Sequence, residues 1–400
     1  MKAGLGISQN EESYSAGSEA AFAALQELQG EKPTFALVFS SVQFDQKRML
    51  EGVKSVIPDA LIAGSSSSGE IANEPLKKSS VVVITVAQEG LKAYGAVSTK
   101  VKENAHEAGA EVARLVQEQA GGEELNLFMM FPDVLSGNGS DIVRGIKEVM
   151  GDHFPIVGGA SGDDFEFVKT FQYLDTTPHS GAVVGLGFSG NVSFGIGVKH
   201  GWVPIGLPYT VTKSEGSVVH ELNGKPAIKI YEDYFGEEHT ESLRHETLAK
   251  LAITYPLGLY MPDREEYLIR DPISVDEKGS ITCAAEIPEN SEVRLMIGSR
   301  DEAIAVARKA AEKAVEQLGG SSPAAAIIFN CIARNKLFGE MAGDEISAIR
   351  DVLGIEVPVA GFYTYGEQAP VDGEVKDIPR CNSEFHNETV VIVTLGDKAA

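Results

Sequence analysis

The chain has 400 residues, of which 43% are apolar and 23% are charged, a composition typical of a soluble protein with two or three domains. Its charge is unusual, because 34 Lys and Arg stand against 58 Asp and Glu and leave a net charge of −24 at pH 7. Such a chain is expected to repel nucleic acid and anionic membrane surfaces, since both are bound through basic side chains. A site for an acidic ligand would therefore need a local basic residue.

Short apolar segments and few cysteines predict a cytoplasmic protein without a membrane anchor. The apolar run 80–87 has the length of a strand, and the N-terminal segment has early acidic residues, unlike a signal peptide. Cys283, Cys331 and Cys381 are odd in number and far apart, which argues against a disulfide framework. No Cys-x-x-Cys or His-x-x-x-His pattern occurs, so neither a metal nor another cofactor is expected.

In chain order, one unit of strand, helix, strand, helix, strand, glycine loop and strand recurs three times. The copies are predicted to cover 2–89, 91–189 and 292–396. The first helix of each copy is predicted at 15–28, 104–119 and 301–318, where apolar residues recur at helical spacing. The central strands follow at 35–41, 127–133 and 326–332, and the second helices at 49–57, 141–150 and 345–353. Each second helix ends near a proline, as a helix should.

This alternation predicts an α/β fold with mixed, mostly parallel sheets flanked by helices and arranged in two lobes. The short joints at 88–90 and 189–191 require antiparallel hairpins, which is why the sheets should be mixed. An N-terminal domain over 1–190 would hold two copies. A C-terminal domain over 191–400 would hold an insert, 191–291, and the third copy, 292–396.

Each glycine loop carries an acidic residue directly after its last glycine: Glu70, Asp163 and Glu367. A phosphate-binding loop is excluded, because that motif needs a lysine where these acids stand. Two interpretations remain open for the carboxylates. They are held by nearby N–H groups in a structural role, or they receive a ligand's ammonium group in the crevice beyond the strands' carboxyl ends.

The third copy carries the richest chemistry, and it contains the basic residue that an acidic ligand would need. Arg334 follows the central strand, and the planar guanidinium of arginine binds a carboxylate through two parallel hydrogen bonds. With Glu367 nearby, it would grip both ends of an amino acid. The alternative is that Arg334 simply pairs with Glu367 or Glu340.

These segments resemble the FIST family, an N-terminal FIST region followed by a FIST C-terminal region. In the N-terminal half the resemblance rests on 44–45, 62–71 and 157–163. In the C-terminal half it rests on 209–212, 222–227, 329–334, 361–367 and 386–387. The chain departs from the family pattern at Ser65–Ser68, where the family often has Cys and Thr, and at Gln368, where it often has Ile.

The resemblance implies a sensory domain that binds a small ligand, with amino acids proposed for the family, and that signals through a separate output protein. Arg334 would then bind the ligand's carboxylate and Glu367 its amine. Tyr363 and Tyr365 would form aromatic walls of the site. The residues expected to line the ligand site are Arg334, Glu367, Tyr363, Tyr365, His386, Asn387, Cys331, Ser66, Glu70 and Asp163.

Two other functions compete with a non-catalytic sensor, which we favour. One is an enzyme in which Cys331 is the nucleophile, His386 its base and Glu367 the acid that orients the base. Cys331 stands at the end of an apolar strand, so we expect it to be buried. That argues against an enzyme, since a free buried cysteine behaves as a small hydrophobic residue. The other is an interaction scaffold that binds no small ligand.

Overall fold

The computed structural model describes residues 1–74, 79–236, 248–262, 264, 266–375 and 380–397. It confirms the α/β class. One topology occurs three times, in unit 1 (2–87), unit 2 (91–190) and unit 3 (193–199 together with 300–396). Residues 200–299 form an inserted segment within unit 3.

Units 1 and 2 follow each other along the chain. Unit 1 consists of β1 (Lys2–Ser8), α1 (Ser13–Glu27), β2 (Phe35–Ser40), α2 (Gln46–Val56), β3 (Leu61–Ser66), β4 (Glu70–Ile71) and β5 (Val81–Ala87). Unit 2 consists of β6 (Leu91–Ser98), α3 (Ala105–Ala120), β7 (Leu125–Pro132), α4 (Gly139–Met150), β8 (Ile156–Gly159), β9 (Gln172–Leu174), β10 (Thr177–His179) and β11 (Val183–Gly190). Asp45, Asn104 and Asn138 cap the N-termini of α2, α3 and α4 by accepting backbone N–H groups.

Unit 3 begins with β12 (Ser193–Lys199) and is then interrupted. The inserted segment contains β13 (Trp202–Glu215), β14 (Val218–Leu222), β15 (Lys225–Pro226), α5 (Lys229–Phe235), α6 (Leu248–Ala252), β16 (Leu257–Leu259), β17 (Leu268–Arg270), β18 (Pro272–Val275), β19 (Ile281–Cys283) and β20 (Glu292–Gly298). Unit 3 resumes with α7 (Arg300–Glu316), β21 (Ala325–Cys331), α8 (Ile332–Phe338), α9 (Ala342–Leu353), β22 (Val359–Thr364), β23 (Glu367–Pro370), β24 (Ser383–His386) and β25 (Val390–Gly396).

The predicted start of the third copy is wrong. Its assumed first strand, β20, is a strand, but it pairs with β13 and β16 in the sheet of the inserted segment. The strand that pairs with the closing strand β25, as β1 pairs with β5, is β12. Because pairing between residues almost 200 positions apart leaves no local pattern, the sequence placed this strand with the insert.

The three sheets of the units have one strand order: first strand, closing strand, central strand, third strand. They read β1-β5-β2-β3, β6-β11-β7-β8 and β12-β25-β21-β22. Central and third strands are parallel, whereas the closing strand is antiparallel to both of its neighbours. The sheets are therefore mixed as predicted, but the parallel share is smaller than predicted, because the closing strand inserts between two strands that run against it.

Each unit also sends a short strand into a neighbouring unit. After its glycine loop, unit 1 contributes β4 to the edge of β22 in unit 3. Unit 3 contributes β23 to β8 in unit 2, and unit 2 contributes β9 to β3 in unit 1. The exchange is cyclic, so the three glycine loops lie at three interfaces between units.

The inner faces of the three sheets pack together into one core. Phe39, Phe131 and Phe329 occupy equivalent places on the central strands. The ring centroid of Phe131 lies 6.0 Å from that of Phe39 and 6.2 Å from that of Phe329. The outer faces are covered by the helices of each unit. The inserted segment has a separate core of its own. Among the described helices, none combines the length and the apolar character needed to cross a bilayer.

Candidate functional site

In units 1 and 3, the predicted glutamate joins its glycine loop to the closing strand. Glu70 accepts a hydrogen bond from the Ser67 hydroxyl and, at 3.1 Å, from the backbone N–H of Ser80, directly before β5. Glu367 accepts the same pair of bonds from the Thr364 hydroxyl and, at 3.1 Å, from the backbone N–H of Thr389, directly before β25. We call this arrangement the closing link. It gives both carboxyl groups a structural role.

Unit 2 builds its closing link from an amide that the sequence analysis missed. Gln172, the first residue of β9, donates from Nε2 to Ser161 Oγ at 3.0 Å and accepts the backbone N–H of Ala182 at 3.3 Å. Ala182 stands directly before β11, as Ser80 stands before β5. Gln172 is recognisable by its position at the start of the exchanged strand β9. Only the strand pairing of the folded chain shows that position.

Asp163 serves a different purpose. Its carboxylate accepts the backbone N–H groups of Phe167, Val168 and Lys169 at 2.6–2.8 Å, and also the hydroxyl of Tyr365. The ring of Phe167 stacks on Tyr365 with centroids 4.5 Å apart. Asp163 therefore holds a loop of unit 2 against the glycine loop of unit 3.

Burial changes the acidity of the two linking glutamates. It raises the pKa of Glu70 to about 7, although the hydrogen bonds from Ser67 and Ser80 partly oppose this. It raises the pKa of Glu367 well above the ordinary value, against the opposing bonds from Thr364 and Thr389. Glu70 consequently changes its charge near neutral pH.

Arg334 is fully buried, and its guanidinium donates five hydrogen bonds to protein acceptors. Nε and Nη2 both donate to Glu345 Oε1, the former at 2.9 Å. The other acceptors are backbone carbonyl oxygens, those of His200, Ala303 and Glu388. The acid that pairs with Arg334 is thus Glu345 on α9, rather than Glu367 or Glu340. Its contact with a ligand carboxylate stays a prediction, and all five of its N–H groups already have acceptors in this structure.

The remaining predicted residues lie around these loops and are all buried. Ser66 Oγ donates to the Gly162 carbonyl at 2.6 Å, and His386 Nε2 lies 3.0 Å from the Ala369 carbonyl. Asn387 precedes the closing strand β25. Burial lowers the pKa of His386 to about 4 and raises that of the Cys331 thiol well above its usual range. No side-chain hydrogen bond joins Cys331, His386 and Glu367 to one another, all three being described residues, although Glu367 and His386 are partners in the β23–β24 ladder.

Two predicted residues, Glu70 and Tyr363, line a cavity of about 240 Å³ between units 1 and 3. We call it the interface cavity. Unit 3 adds Asn335 from α8 and Arg350 from α9, and neither residue was predicted. The volume lies below the roughly 300–1,000 Å³ typical of sites for drug-sized ligands, so it suits a small metabolite. A larger cleft of about 590 Å³ lies between the C-terminal ends of α1 and α2, away from the glycine loops.

Arg350 brings a partly unused cation to the interface cavity. Its Nη1 donates to the Asn73 carbonyl and its Nη2 to the Ile355 carbonyl at 3.0 Å, whereas its Nε is buried with no hydrogen-bond acceptor. A buried donor without an acceptor costs about 1–3 kcal/mol, so a ligand oxygen at this point would be stabilised.

Cations at the same place in the other two units are fully engaged across their interfaces. Lys54 of α2 donates to Asp175 Oδ1 at 2.8 Å, and Lys147 of α4 donates to Asn382 Oδ1 at 2.6 Å. Each of these contacts ties the second helix of one unit to a residue of its neighbour that stands next to a strand, Asp175 directly after β9 and Asn382 directly before β24.

Aromatic side chains explain why the described cavity lies between units 1 and 3. Between units 1 and 2, the buried Tyr173 reaches the first residue of α2, bonding Gln46 through its hydroxyl. Between units 2 and 3, the ring of Phe385 packs against Gly139, the first residue of α4. The equivalent end of α9, which begins at Ala342, faces the cavity instead.

Comparison with family profiles decides the relationship of the chain. The profile of the FIST N domain matches residues 34–225, and that of the FIST C domain matches residues 227–370. The chain belongs to the FIST family. FIST domains are sensory domains of signal transduction. The predicted domain division at residue 190 stays a prediction.

Related sequences cover between about half and nearly all of the FIST chain. The uncharacterized protein Rv0628c of Mycobacterium tuberculosis is 25% identical over 383 residues, which are 93% of this chain and 96% of that protein. The uncharacterized protein MJ1623 of Methanocaldococcus jannaschii is 30% identical over 200 residues, 48% of this chain and 38% of that protein.

Similarity to solved structures is weak. A cyanuric acid hydrolase from A. caulinodans aligns over 100% of this chain and 99% of its own, with a TM-score of 0.40 and 8% identity. A chorismatase aligns over 92% of this chain and 95% of its own, with a TM-score of 0.36 and 9% identity.

Proposed function

We propose that this FIST chain is a cytoplasmic sensor that binds a small zwitterionic metabolite, such as an amino acid, in the interface cavity. The observation that carries the proposal is that two residues of opposite charge line this cavity: Glu70, and Arg350, whose guanidinium keeps one N–H group without an acceptor. An ammonium group would meet the first, and a carboxylate would meet the second. Tyr363 would supply an aromatic wall, and Asn335 a further polar contact.

The acidity of Glu70 supports the part of the proposal that concerns the amine. A carboxyl group with a pKa of about 7 is half protonated at neutral pH. A bound ammonium group would favour the ionised form and lower that pKa. Binding of an amine should therefore release protons near pH 7.

The position of the cavity supports a signalling role. It lies between β4 of unit 1 and the helices α8 and α9 of unit 3, so a ligand there contacts two units at once. A ligand with a higher affinity for one arrangement of the units shifts the population toward that arrangement. A separate output protein would read the change.

The proposal is tested by thermal unfolding of the full chain with each standard amino acid as the probe. A ligand present at 100 times its Kd adds about 2.7 kcal/mol to the free energy of unfolding. Derivatives of any amino acid that stabilises the chain separate its two ends. The N-acetyl form removes the charge expected to meet Glu70, and the amide form removes the charge expected to meet Arg350.

Matched variants locate the site. Arg350→Lys should abolish the ligand-induced shift, whereas Arg308→Lys, an exposed arginine paired with Asp351, should preserve it. Glu70→Gln and Glu367→Gln alter the same closing link at two interfaces. If only Glu367→Gln loses ligand binding, the ligand binds at Arg334 and Glu367, as predicted from the sequence. If no amino acid or related metabolite stabilises the chain, the scaffold interpretation is favoured.

A further inference from the structure

Glu388 is a buried acid whose carboxyl group receives no hydrogen bond from any described N–H or O–H group. The residue is 0% exposed, and both Oε1 and Oε2 lack a donor. Its backbone lies in the left-handed region, with φ at 55°, a conformation that costs a non-glycine residue free energy. The fold thus holds this side chain in a place that does not solvate a negative charge.

The carboxyl group of Glu388 meets that of Asp271, the residue directly after β17 in the inserted segment. The two carboxyl groups face each other within hydrogen-bonding reach. Asp271 keeps some exposed surface, but its Oδ1 is buried without a donor. Two carboxylates offer only acceptors, so a hydrogen bond between them requires a proton on one of the two.

The two described arginines that face this pair direct their hydrogen bonds to other acceptors. Arg334, which faces Glu388, directs its five donors to Glu345 and to backbone carbonyl groups. Arg270, which faces Asp271, donates to the carbonyl groups of Glu286, Ile269 and Phe385 at 2.8–3.0 Å.

The other titratable neighbours also fail to supply a positive charge. Glu367 faces Glu388 and is itself engaged in a closing link. The remaining neighbours are neutral when protonated: the Tyr231 hydroxyl donates to the Tyr255 carbonyl, and Cys331 and Cys283 are buried thiols. The pair therefore depends on a proton of its own.

We infer that Glu388 and Asp271 share one proton and that this proton fastens the inserted segment to unit 3. Ionising both groups would bring two like charges into contact where water is excluded, which is strongly unfavourable. The neighbouring bond from Arg270 Nη1 to the Phe385 carbonyl, at 3.0 Å, joins the same two parts of the chain. Loss of the proton should accordingly loosen β17 and β18 from the segment that precedes β25.

The direction of the pH effect follows from which state holds the proton. Burial raises the pKa of Asp271 to about 7 and that of Glu388 well above its ordinary value. Between the pKa of the unfolded chain and that of the folded chain, the folded state binds more protons. Stability then falls as the pH rises, by about tenfold in the unfolding equilibrium constant per pH unit for one proton.

The experiment is urea unfolding of the full chain from pH 5 to pH 9. It compares the wild type with Glu388→Gln, Asp271→Asn and the double variant. The amide of Glu388→Gln can donate to Asp271 without a shared proton. The unfolding constant of the wild type should therefore rise relative to that of Glu388→Gln by about tenfold per pH unit across this transition.

A double-mutant cycle supplies the control. The effects of Glu388→Gln and Asp271→Asn should be strongly non-additive, because the two residues contact each other. Glu70→Gln also removes a buried acid, but Glu70 forms part of a different interface. Its effect should add to that of Glu388→Gln, which separates this inference from the proposed ligand site.

Infrared spectroscopy keeps the inference testable if a variant fails to fold. The wild type at pH 7 should show a protonated-carboxyl C=O band that loses intensity in whichever of Glu388→Gln and Asp271→Asn folds. Equal intensity in wild type and variant would overturn the shared proton. A second result would also overturn it. If the stability of the wild type at pH 8 depends on whether Na⁺, K⁺ or NH₄⁺ is present, and the variants lose that dependence, then the pair holds a cation instead of a proton.

Discussion

Glu70 Oε2 lies 3.1 Å from the backbone nitrogen of Ser80, and this contact joins the first glycine loop to the strand that closes unit 1. Glu367 and Thr389 repeat the contact in unit 3 at the same distance, and Gln172 and Ala182 replace it in unit 2. The acidic residue after the glycines is thus part of the fold. Of the three linking residues, Glu70 also lines the interface cavity, and Gln172 and Glu367 do not.

Glu70→Gln should make stability less dependent on pH. The folded chain holds a proton on Glu70 up to a pKa of about 7, compared with the ordinary value of 4.5, so ionisation destabilises the wild type as the pH rises between these values. The amide should preserve the link, as Gln172 does in unit 2. Relative to wild type, the variant should gain at most about 3 kcal/mol from pH 4.5 to pH 8 in denaturant unfolding. A pH-independent difference between the two proteins would contradict this expectation.

Ile71→Tyr should block the interface cavity. Ile71 follows Glu70 on β4 as Tyr173 follows Gln172 on β9, and Tyr173 fills the equivalent place between units 1 and 2. Overpacking is expected to cost about 1–3 kcal/mol of unfolding free energy. Any amino acid that stabilises the wild type should no longer raise the Tm of the variant, and calorimetric titration checks this. An unchanged affinity would place the ligand elsewhere.

Phe385→Ala should destabilise the chain strongly, by about 3–5 kcal/mol in chemical unfolding, because the ring is buried against α4 and its loss leaves a cavity. Phe22→Ala is the matched control, since Phe22 is 56% exposed and should change stability by less than about 0.5 kcal/mol. Similar losses in both variants would mean that Phe385 does not fill the interface between units 2 and 3.

Arg334→Lys should also destabilise the chain, by about 3–5 kcal/mol, because lysine cannot replace the guanidinium bonds and leaves Glu345 poorly paired in a buried place. Thermal and chemical unfolding measure the loss. A second change, Glu345→Gln, should recover part of it by removing the uncompensated charge. If Arg334→Lys keeps full stability and loses only ligand binding, the ligand contact predicted from the sequence is supported instead.

Cys331 should resist alkylation in the native chain. Its thiol is buried, and burial raises its pKa well above the usual range, so little reactive thiolate exists at neutral pH. Mass spectrometry after iodoacetamide treatment should show labelling of Cys331 only after unfolding. Rapid and selective labelling of the native chain would favour the alternative in which Cys331 acts as a nucleophile.

The sequence predicted local features well where they depend on neighbours along the chain. Helical spacing predicted a helix at 301–318, where α7 lies, because side-chain periodicity reports which face of an element is buried. The pattern of glycine followed by an acid drew attention to Glu70 and Glu367, and the structure places both at interfaces between units. Cys331 was expected to be buried at the end of an apolar strand, and its thiol is buried.

Other parts of the candidate site depended on residues far apart in the sequence. Arg350 and Asn335 stood on helices without a motif, so no sequence signal linked them to Glu70. The pairing of Arg334 with Glu345 followed from how α8 packs beside α9. Gln172 was missed because the glycine-loop pattern pointed to Asp163 in unit 2. The residue that forms the closing link there is an amide at the start of the exchanged strand β9.

By itself, the sequence determined the α/β class, the order of the main helices and strands in units 1 and 2 and the resemblance to the FIST family, since these follow from local periodicity and short motifs. The tertiary structure decided which strands pair, which charges are neutralised in the interior and which interface keeps a cavity. The physical reason is that strand exchange and burial join residues hundreds of positions apart. The free energy of a buried charge depends on the groups around it, whatever their distance along the chain.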